Sequence, residues 1–276
     1  MKELLTRSLT SILFVAVLIG CILWHPLANA LLFFLFTLLA CNEYFRMMGM
    51  REEASPRPSP SFGYLAGALS YAALSSYALW DRSFLLLSLP LLVPLAIVWE
   101  MFQKRELPFH RAALSLFGPL FFGTAFGILP LLRAHSEGGP FLLVGLFILI
   151  WIHDSGAYLF GKLLGKKKLW PRISPGKTWE GSALGAVLCL LTTLVIAPLL
   201  PGWSPEQMPL SLQIAFPLVV IFPGTFGDLS ISLLKRSVGA KDTGWILPGH
   251  GGVLDRFDAL LMSTPFFLLL LEWSAH

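Results

Sequence analysis

Apolar runs long enough to cross a bilayer recur from one end of this chain to the other, and they leave little choice of architecture. A membrane-crossing helix needs about 20 mostly apolar residues, within a range of roughly 17–25. Nine such stretches can be read, over residues 8–24, 27–45, 62–80, 83–102, 112–132, 141–161, 181–200, 210–234 and 257–273. Only 13% of the residues are charged, 55% are hydrophobic and the mean hydropathy is +0.72, which excludes a soluble domain with a single anchor. The expected fold is all-α, a polytopic membrane protein of about nine transmembrane helices.

Charge bias orients these spans. With the amino terminus in the cytoplasm, every Lys and Arg except Arg82 and Arg133 falls on the cytoplasmic side, as expected of loops enriched in cations on that face. The carboxyl terminus is then outside. The short Trp24-His25-Pro26 link predicts a tight helical hairpin, and residues 51–61 form a polar, proline-rich connector. Ala28-Asn29-Ala30 resembles a signal-peptidase site, but the apolar stretch before it is longer than a usual signal core and another span follows at once. The chain divides into N-terminal spans one to five (1–140) and a candidate catalytic region (141–276) with cytoplasmic loops 162–180 and 235–256. Cys21, Cys41 and Cys189 all lie in apolar spans without metal-ligand spacing and are read as packing residues.

Several carboxylates share one depth. Asp154 lies eight residues before Lys162 and Asp228 seven before Lys235, placing them about 12 Å and about 10 Å along their helices from the charged loops. Asp255 and Asp258 open the last span, three residues apart and on one helical face. An unpaired Asp inside a span costs about 2.5–3.5 kcal/mol, so several at one level suggest a shared hydrophilic cavity. Stabilisation of a helix amino terminus is the plainer reading of Asp255. Glu43, Glu100 and Glu272 stand nearer span ends, where they can reach the interface, and are taken as structural. His153 is a neighbour of Asp154 with no second His at ligand spacing. Oxygen ligands without Cys or His suit Mg²⁺ or Ca²⁺ rather than Zn²⁺.

Two loops add phosphate-binding chemistry. Ser174, Lys177 and Thr178 offer donors just before a span, with Glu180 following, where backbone N–H groups of a helix start also point outward. Lys235, Arg236, Lys241, Asp242, His250, Gly251, Gly252, Asp255, Arg256 and Asp258 crowd into one stretch near the carboxyl end. Its glycines permit close approach of backbone amides to an anion. Together with the carboxylates, the two loops describe a metal-assisted site for a polyphosphate. The Gly-x-x-x-Gly spacings Gly63/Gly67, Gly123/Gly127 and Gly181/Gly185 could bring helices close, within or between subunits.

The pattern resembles the phosphatidate cytidylyltransferases, the CDP-diacylglycerol synthases. Ser232, Lys235, Arg236, Lys241, Asp242, Gly244, Leu247, Pro248, His250, Gly251, Gly252, Asp255, Arg256 and Asp258 fit that family's long carboxyl-terminal signature. Asp154–Gly161 and Ile173–Gly181 are also similar, so the likeness is clear from Trp151 to Leu260, while the first half matches only as a set of apolar spans. In two places the chain departs from the family: Ile231 stands where an acidic residue is usual after Gly227-Asp228-Leu229-Ser230, and Gly176 replaces a Lys.

The resemblance implies transfer of a cytidylyl group from CTP to phosphatidic acid at the cytoplasmic face of a bacterial inner membrane. It implies catalytic roles for Asp228, Lys235, Arg236, Lys241, Asp242, Asp255, Arg256 and Asp258. Nucleotide or lipid headgroup would be held by Ser174, Lys177, Thr178, Glu180, His250, Gly251 and Gly252. Mg²⁺ would sit on Asp228, Asp255, Asp258 and Asp154, with a second divalent or a monovalent cation left open. A homodimer is an expectation from the resemblance, and no nucleic-acid partner is expected. The alternatives are another CTP- or polyprenol-phosphate-using membrane transferase of the lipid-kinase type, and a secondary transporter. The transporter would explain Asp154 and Asp228 but not the His-Gly-Gly-x-x-Asp-Arg-x-Asp loop.

Overall fold

Proline and glycine punctuate the helices of this chain. The computed structural model describes residues 2–50, 56–196, 199–201, 203, 209–244 and 251–275. Helices α1 (Lys2–Trp24) and α2 (Pro26–Gly49) form the expected hairpin. Pro26 occupies the first helical position, and the His25 imidazole Nδ1 accepts the Leu27 N–H at 3.1 Å, satisfying a donor that the helix start leaves without an internal partner. Helices α3 (Pro60–Trp80), α5 (Pro108–Ala134) and α6 (Gly139–Leu164) also carry a proline in their first turn. Beyond them run α7 (Trp179–Ile196), α8 (Leu210–Ser237) and α9 (Leu254–Ala275). Among the described residues, α2, α5, α6, α7 and α8 are each long and apolar enough to cross a membrane.

Two expectations need correction. The stretch 83–102 is not one helix but a 3-10 helix, Ser83–Ser88, followed by α4 (Leu92–Gln103). Pro90 cannot donate to the Leu86 carbonyl, which accepts the Leu89 N–H instead. The 12 residues of α4 extend about 18 Å, less than the roughly 30 Å hydrocarbon core. The chain is also not purely helical. Strands β1 (Lys168–Trp170) and β2 (Ser174–Thr178) pair antiparallel, with Lys168 opposite Thr178, Trp170 opposite Ser174 and an irregularity between. Pro175 and Gly176 in β2 hide this hairpin, because both residues argue against a strand.

The chain groups into two units, Met1–Ala134 with Ser237–Phe257, and His135–Arg236 with Asp258–His276. In the first unit, α3 packs on α5 through glycines. A Cβ at Gly123 would strike the Gly67 carbonyl, and one at Gly127 would press on Leu74 and Tyr71. A Cβ at Gly67 would meet the Cys41 sulfur at 2.8 Å. Aromatic rings fill the space above: Phe257 lies 4.9 Å from Phe36 and 5.4 Å from Phe126 between ring centres. Glu100, only 2% exposed, is held by the Ser59 hydroxyl and by the Arg111 guanidinium at 3.2 Å, so it is buried rather than interfacial.

In the second unit, α6 and α7 approach to backbone contact at Gly156/Gly185 and Gly181/Ala157. Helices α8 and α9 do the same where Gly224 faces Ala259 and Ser263, and Gly227 faces the Asp258 carbonyl. Glu272 lies 3.9 Å from His135. All three Gly-x-x-x-Gly spacings therefore serve helix contacts within the chain. Cys21, Cys41 and Cys189 are free thiols.

A side chain at Gly123 has to displace the α3 backbone, whereas nothing lies within 4 Å of a Cβ at Gly176. Gly123→Leu should destabilise the protein by about 1–3 kcal/mol or more through overpacking, and Gly176→Ala should be neutral, as read by thermal unfolding in detergent.

Candidate active site

The second unit gathers four of the expected site residues from four different elements. Asp154 comes from α6, Lys177 from β2, Asp228 from α8 and Asp258 from the first turns of α9. The Lys177 ammonium lies 2.6 Å from Asp228 Oδ2, and the Ser232 hydroxyl donates to Asp228 Oδ1 at 3.2 Å one helical turn on. Asp258 Oδ1 accepts the Ala259 N–H at 2.7 Å. The β-hairpin has a visible purpose here: it carries Lys177 to Asp228. The glycine at 227 has another, since only a bare Cα lets α8 reach the Asp258 backbone. Asp154 is half exposed, and His153 Nδ1 stands 3.5 Å from its carboxylate. The buried His153 Nε2 has no hydrogen-bond partner among the described residues.

Three residues of the loop before α7 build that loop. The Thr178 hydroxyl, 4% exposed, accepts the Gly181 N–H at 3.2 Å as a helix cap. Glu180 accepts the backbone N–H groups of Lys166 and Lys167 at 3.1 Å and closes the turn that follows α6. Ser174 opens β2 opposite Trp170.

In the first unit, the carboxyl-terminal motif is organised around two carboxylates. Asp255 Oδ2 accepts the Thr243 N–H at 2.8 Å, the Thr243 hydroxyl at 2.9 Å and the Gly252 N–H at 3.2 Å. Glu43, 2% exposed, accepts the Val253 N–H at 2.7 Å on Oε1 and the Leu254 N–H at 2.9 Å on Oε2, which also lies 2.9 Å from the Thr243 hydroxyl that it shares with Asp255. Gly251 adopts φ +78°, and a Cβ at Gly252 would collide with the Glu43 carboxylate and the Thr243 hydroxyl. The anion approached by these amides is thus supplied by the protein. Glu43 was expected near the interface as a structural residue; it is buried and tied to a loop some two hundred positions away.

The remaining motif cations sit at the edges of their elements. Lys235 is half-buried and Arg236 exposed in the last turn of α8, Lys241 and Asp242 are exposed, and Arg256 is exposed in the first turn of α9. His250 lies outside the described residues. Phe257, inside the Arg-x-Asp triplet, anchors the motif to the aromatic cluster of the first unit. The sequence offered no sign of this beyond its apolar character.

Among the described residues no three His, Cys, Asp or Glu side chains converge as a ready-made metal cage. The donor set nonetheless fits Mg²⁺, which is usually held by one or two carboxylates plus water and substrate phosphates. Asp228 and Asp258 offer two carboxylates on neighbouring helices, and Asp228 already draws a cation, the Lys177 ammonium.

The same unit holds an apolar groove of about 270 Å³. Trp170, Trp179, Phe222, Thr225, Phe226 and Leu229 are among its lining residues. Trp179 follows Lys177 by two positions and Leu229 is the next residue after Asp228.

Comparison with known proteins covers the whole chain, not only the region from 151 to 260. The sequence model of the cytidylyltransferase family matches residues 5–274. A phosphatidate cytidylyltransferase of Staphylococcus saprophyticus is 33% identical over 265 residues, covering 96% of this chain and 98% of that protein. Its namesake in Staphylococcus epidermidis is 32% identical over 271 residues, and that of Staphylococcus aureus 33% over 266, with the same coverage. The likeness thus includes the helix that bears Glu43 as well as the acidic cluster and its lysine, and the chain belongs to the cytidylyltransferase family, as a membrane nucleotidyltransferase.

Proposed function

We propose that this enzyme transfers the cytidylyl group of CTP to phosphatidic acid, giving CDP-diacylglycerol and pyrophosphate. The observation that carries this reading is the Lys177–Asp228 pair, on the helix that packs against the Asp258 backbone, in a unit that also holds an apolar groove. A phosphate that is part of a lipid needs both halves of that arrangement: charge for the headgroup and an apolar trough for the chain. The relatives' name points to the same lipid.

The lipid phosphate is itself the nucleophile, so no Ser or Cys nucleophile is needed. One of its oxygens attacks the α-phosphorus of CTP, a new P–O bond forms, and the bond to the β-phosphate oxygen breaks to release pyrophosphate. The task of the side chains is to bring two anions together and to balance charge on the leaving group. Asp228 and Asp258 would hold Mg²⁺, with Asp154 and Asp255 in support. Bound there, the ion would supply charge neutralisation at the attacking and leaving oxygens. Lys177 holds Asp228 in place and offers an ammonium to a phosphate. Lys235, Arg236, Lys241 and Arg256 contribute further cations, and Ser174 and His250 polar contacts to the nucleotide or headgroup. Asp255 Oδ2 accepts the Thr243 and Gly252 N–H groups, so this carboxylate also holds the loop before α9. Thr178 and Glu180 shape the loop through their backbone partners, so their part in substrate binding is indirect.

The membrane arrangement follows the charge bias: amino end and catalytic loops on the cytoplasmic side of a bacterial inner membrane, with nine crossings. In this arrangement the broken segment 83–103 crosses as a 3-10 helix joined to a short α-helix.

Asp228→Asn should lower turnover by a factor of about one hundred or more without loss of folded protein on size exclusion. The assay is purified enzyme, phosphatidic acid, radiolabelled CTP and Mg²⁺, with the lipid product identified by chromatography. Near-normal turnover would remove Asp228 from the mechanism, and label arriving as phosphate rather than CMP would favour the lipid-kinase reading. A Gly176→Cys variant should react with an impermeant thiol reagent in inside-out vesicles and not in intact cells; the reverse would invert the topology.

A further inference from the structure

Glu43 lies far in sequence from every motif that carries chemistry, yet its carboxylate is the hub of the carboxyl-terminal one. A buried carboxylate within a span is costly, and here the cost is offset by two backbone N–H donors and a hydroxyl. Those two N–H groups belong to Val253 and Leu254, where α9 begins. Glu43 therefore serves as the amino-terminal cap of α9, supplied by α2 rather than by the helix's own sequence.

The same carboxylate reaches Asp255 through one side chain. Thr243 Oγ1 lies 2.9 Å from both Glu43 Oε2 and Asp255 Oδ2, and its single proton can serve only one of them at a time. The Thr243 N–H remains on Asp255 throughout. Gly244 and Gly252 are packed against the Glu43 carboxylate so closely that neither tolerates a side chain. The rotamer of Asp255 and the start of the helix that carries Asp258 thus depend on a residue of α2.

We propose that Glu43 is a positioning residue of this enzyme: acting through Thr243 and the Val253–Leu254 backbone, it sets the direction of Asp255 and the first turn of α9. This rests on the reading of Asp255 and Asp258 as site residues. A Gln at 43 keeps the volume but offers one acceptor oxygen where the carboxylate has two, so one of the two backbone N–H groups meets another donor. Removal of an outer partner of this kind typically costs about 10- to 100-fold in activity or metal affinity.

The test uses the full-length enzyme in detergent with Glu43→Gln, Thr243→Val and Thr243→Ser. Glu43→Gln and Thr243→Val should each lower kcat about 10-fold or more and raise the Mg²⁺ concentration giving half-maximal rate, with KM for phosphatidic acid within about twofold of the parent. Thr243→Ser, which keeps the hydroxyl, should restore the rate. Independently of turnover, amide hydrogen exchange over residues 251–257 should accelerate in Glu43→Gln while α5 and α6 stay protected. Parent-like kcat, Mg²⁺ requirement and exchange in Glu43→Gln would overturn the inference. Faster exchange with unchanged kcat and Mg²⁺ requirement would overturn it too, leaving a purely structural cap. Failure of the unmodified enzyme to label phosphatidic acid would instead sink the proposed function, which the parent assay reads separately.

Discussion

A carboxylate placed among apolar helices is unstable until something meets its charge, and that requirement organises this molecule. Asp228 is met by Lys177 from the β-hairpin and by Ser232 from its own helix. Glu43 is met by the start of α9 and by Thr243. Glu100 is met by Arg111 and Ser59. In most of these cases the partner comes from another element, so satisfying each charge also ties two parts of a unit together. Bilayer hydrocarbon offers neither water nor counter-ion, so a missing partner would cost far more here than at a soluble surface.

Close backbone approach is the second requirement, and glycine meets it. Gly227 lets α8 lie against the Asp258 backbone, and Gly181 and Gly185 let α7 lie against α6 where Asp154 emerges. Gly252 lets the motif loop press on Glu43. Between helices the hydrophobic effect contributes little once lipid surrounds them, which leaves van der Waals contact and hydrogen bonds to hold the packing. Small residues at these crossings are therefore tied to the site: they set how near the acidic side chains stand to one another.

Much of this could be read directly from residue order. The helical hairpin at Pro26 followed from the short link between spans, and spacing, burial cost and motif resemblance singled out Asp154, Asp228, Asp258 and Lys177 as candidates. Other features were hidden. Pro90 looked like an ordinary proline in an apolar run, and Pro175 and Gly176 argued against the strand they occupy. Thr178 and Glu180 were expected to contact a ligand, and their hold on backbone groups gave no sign in the residue order. Asp255 was open to both a ligand role and a helix-start role, and its Oδ2 holds N–H groups of the loop before α9 rather than of the helix itself.

Residue order was enough for what is local or additive: that the chain lies in a membrane, roughly where its helices begin, and which stretch concentrates costly charge. Periodicity, proline position and hydropathy act over a few turns, so a linear reading reaches them. The pairing of distant groups came from the folded arrangement alone. That Lys177 belongs to Asp228, and that Glu43 of α2 caps α9 and steadies Asp255, depends on which segments fold side by side. Hydrogen bonds and ion pairs fall off within a few ångströms, and separation along the chain says nothing about distances that short.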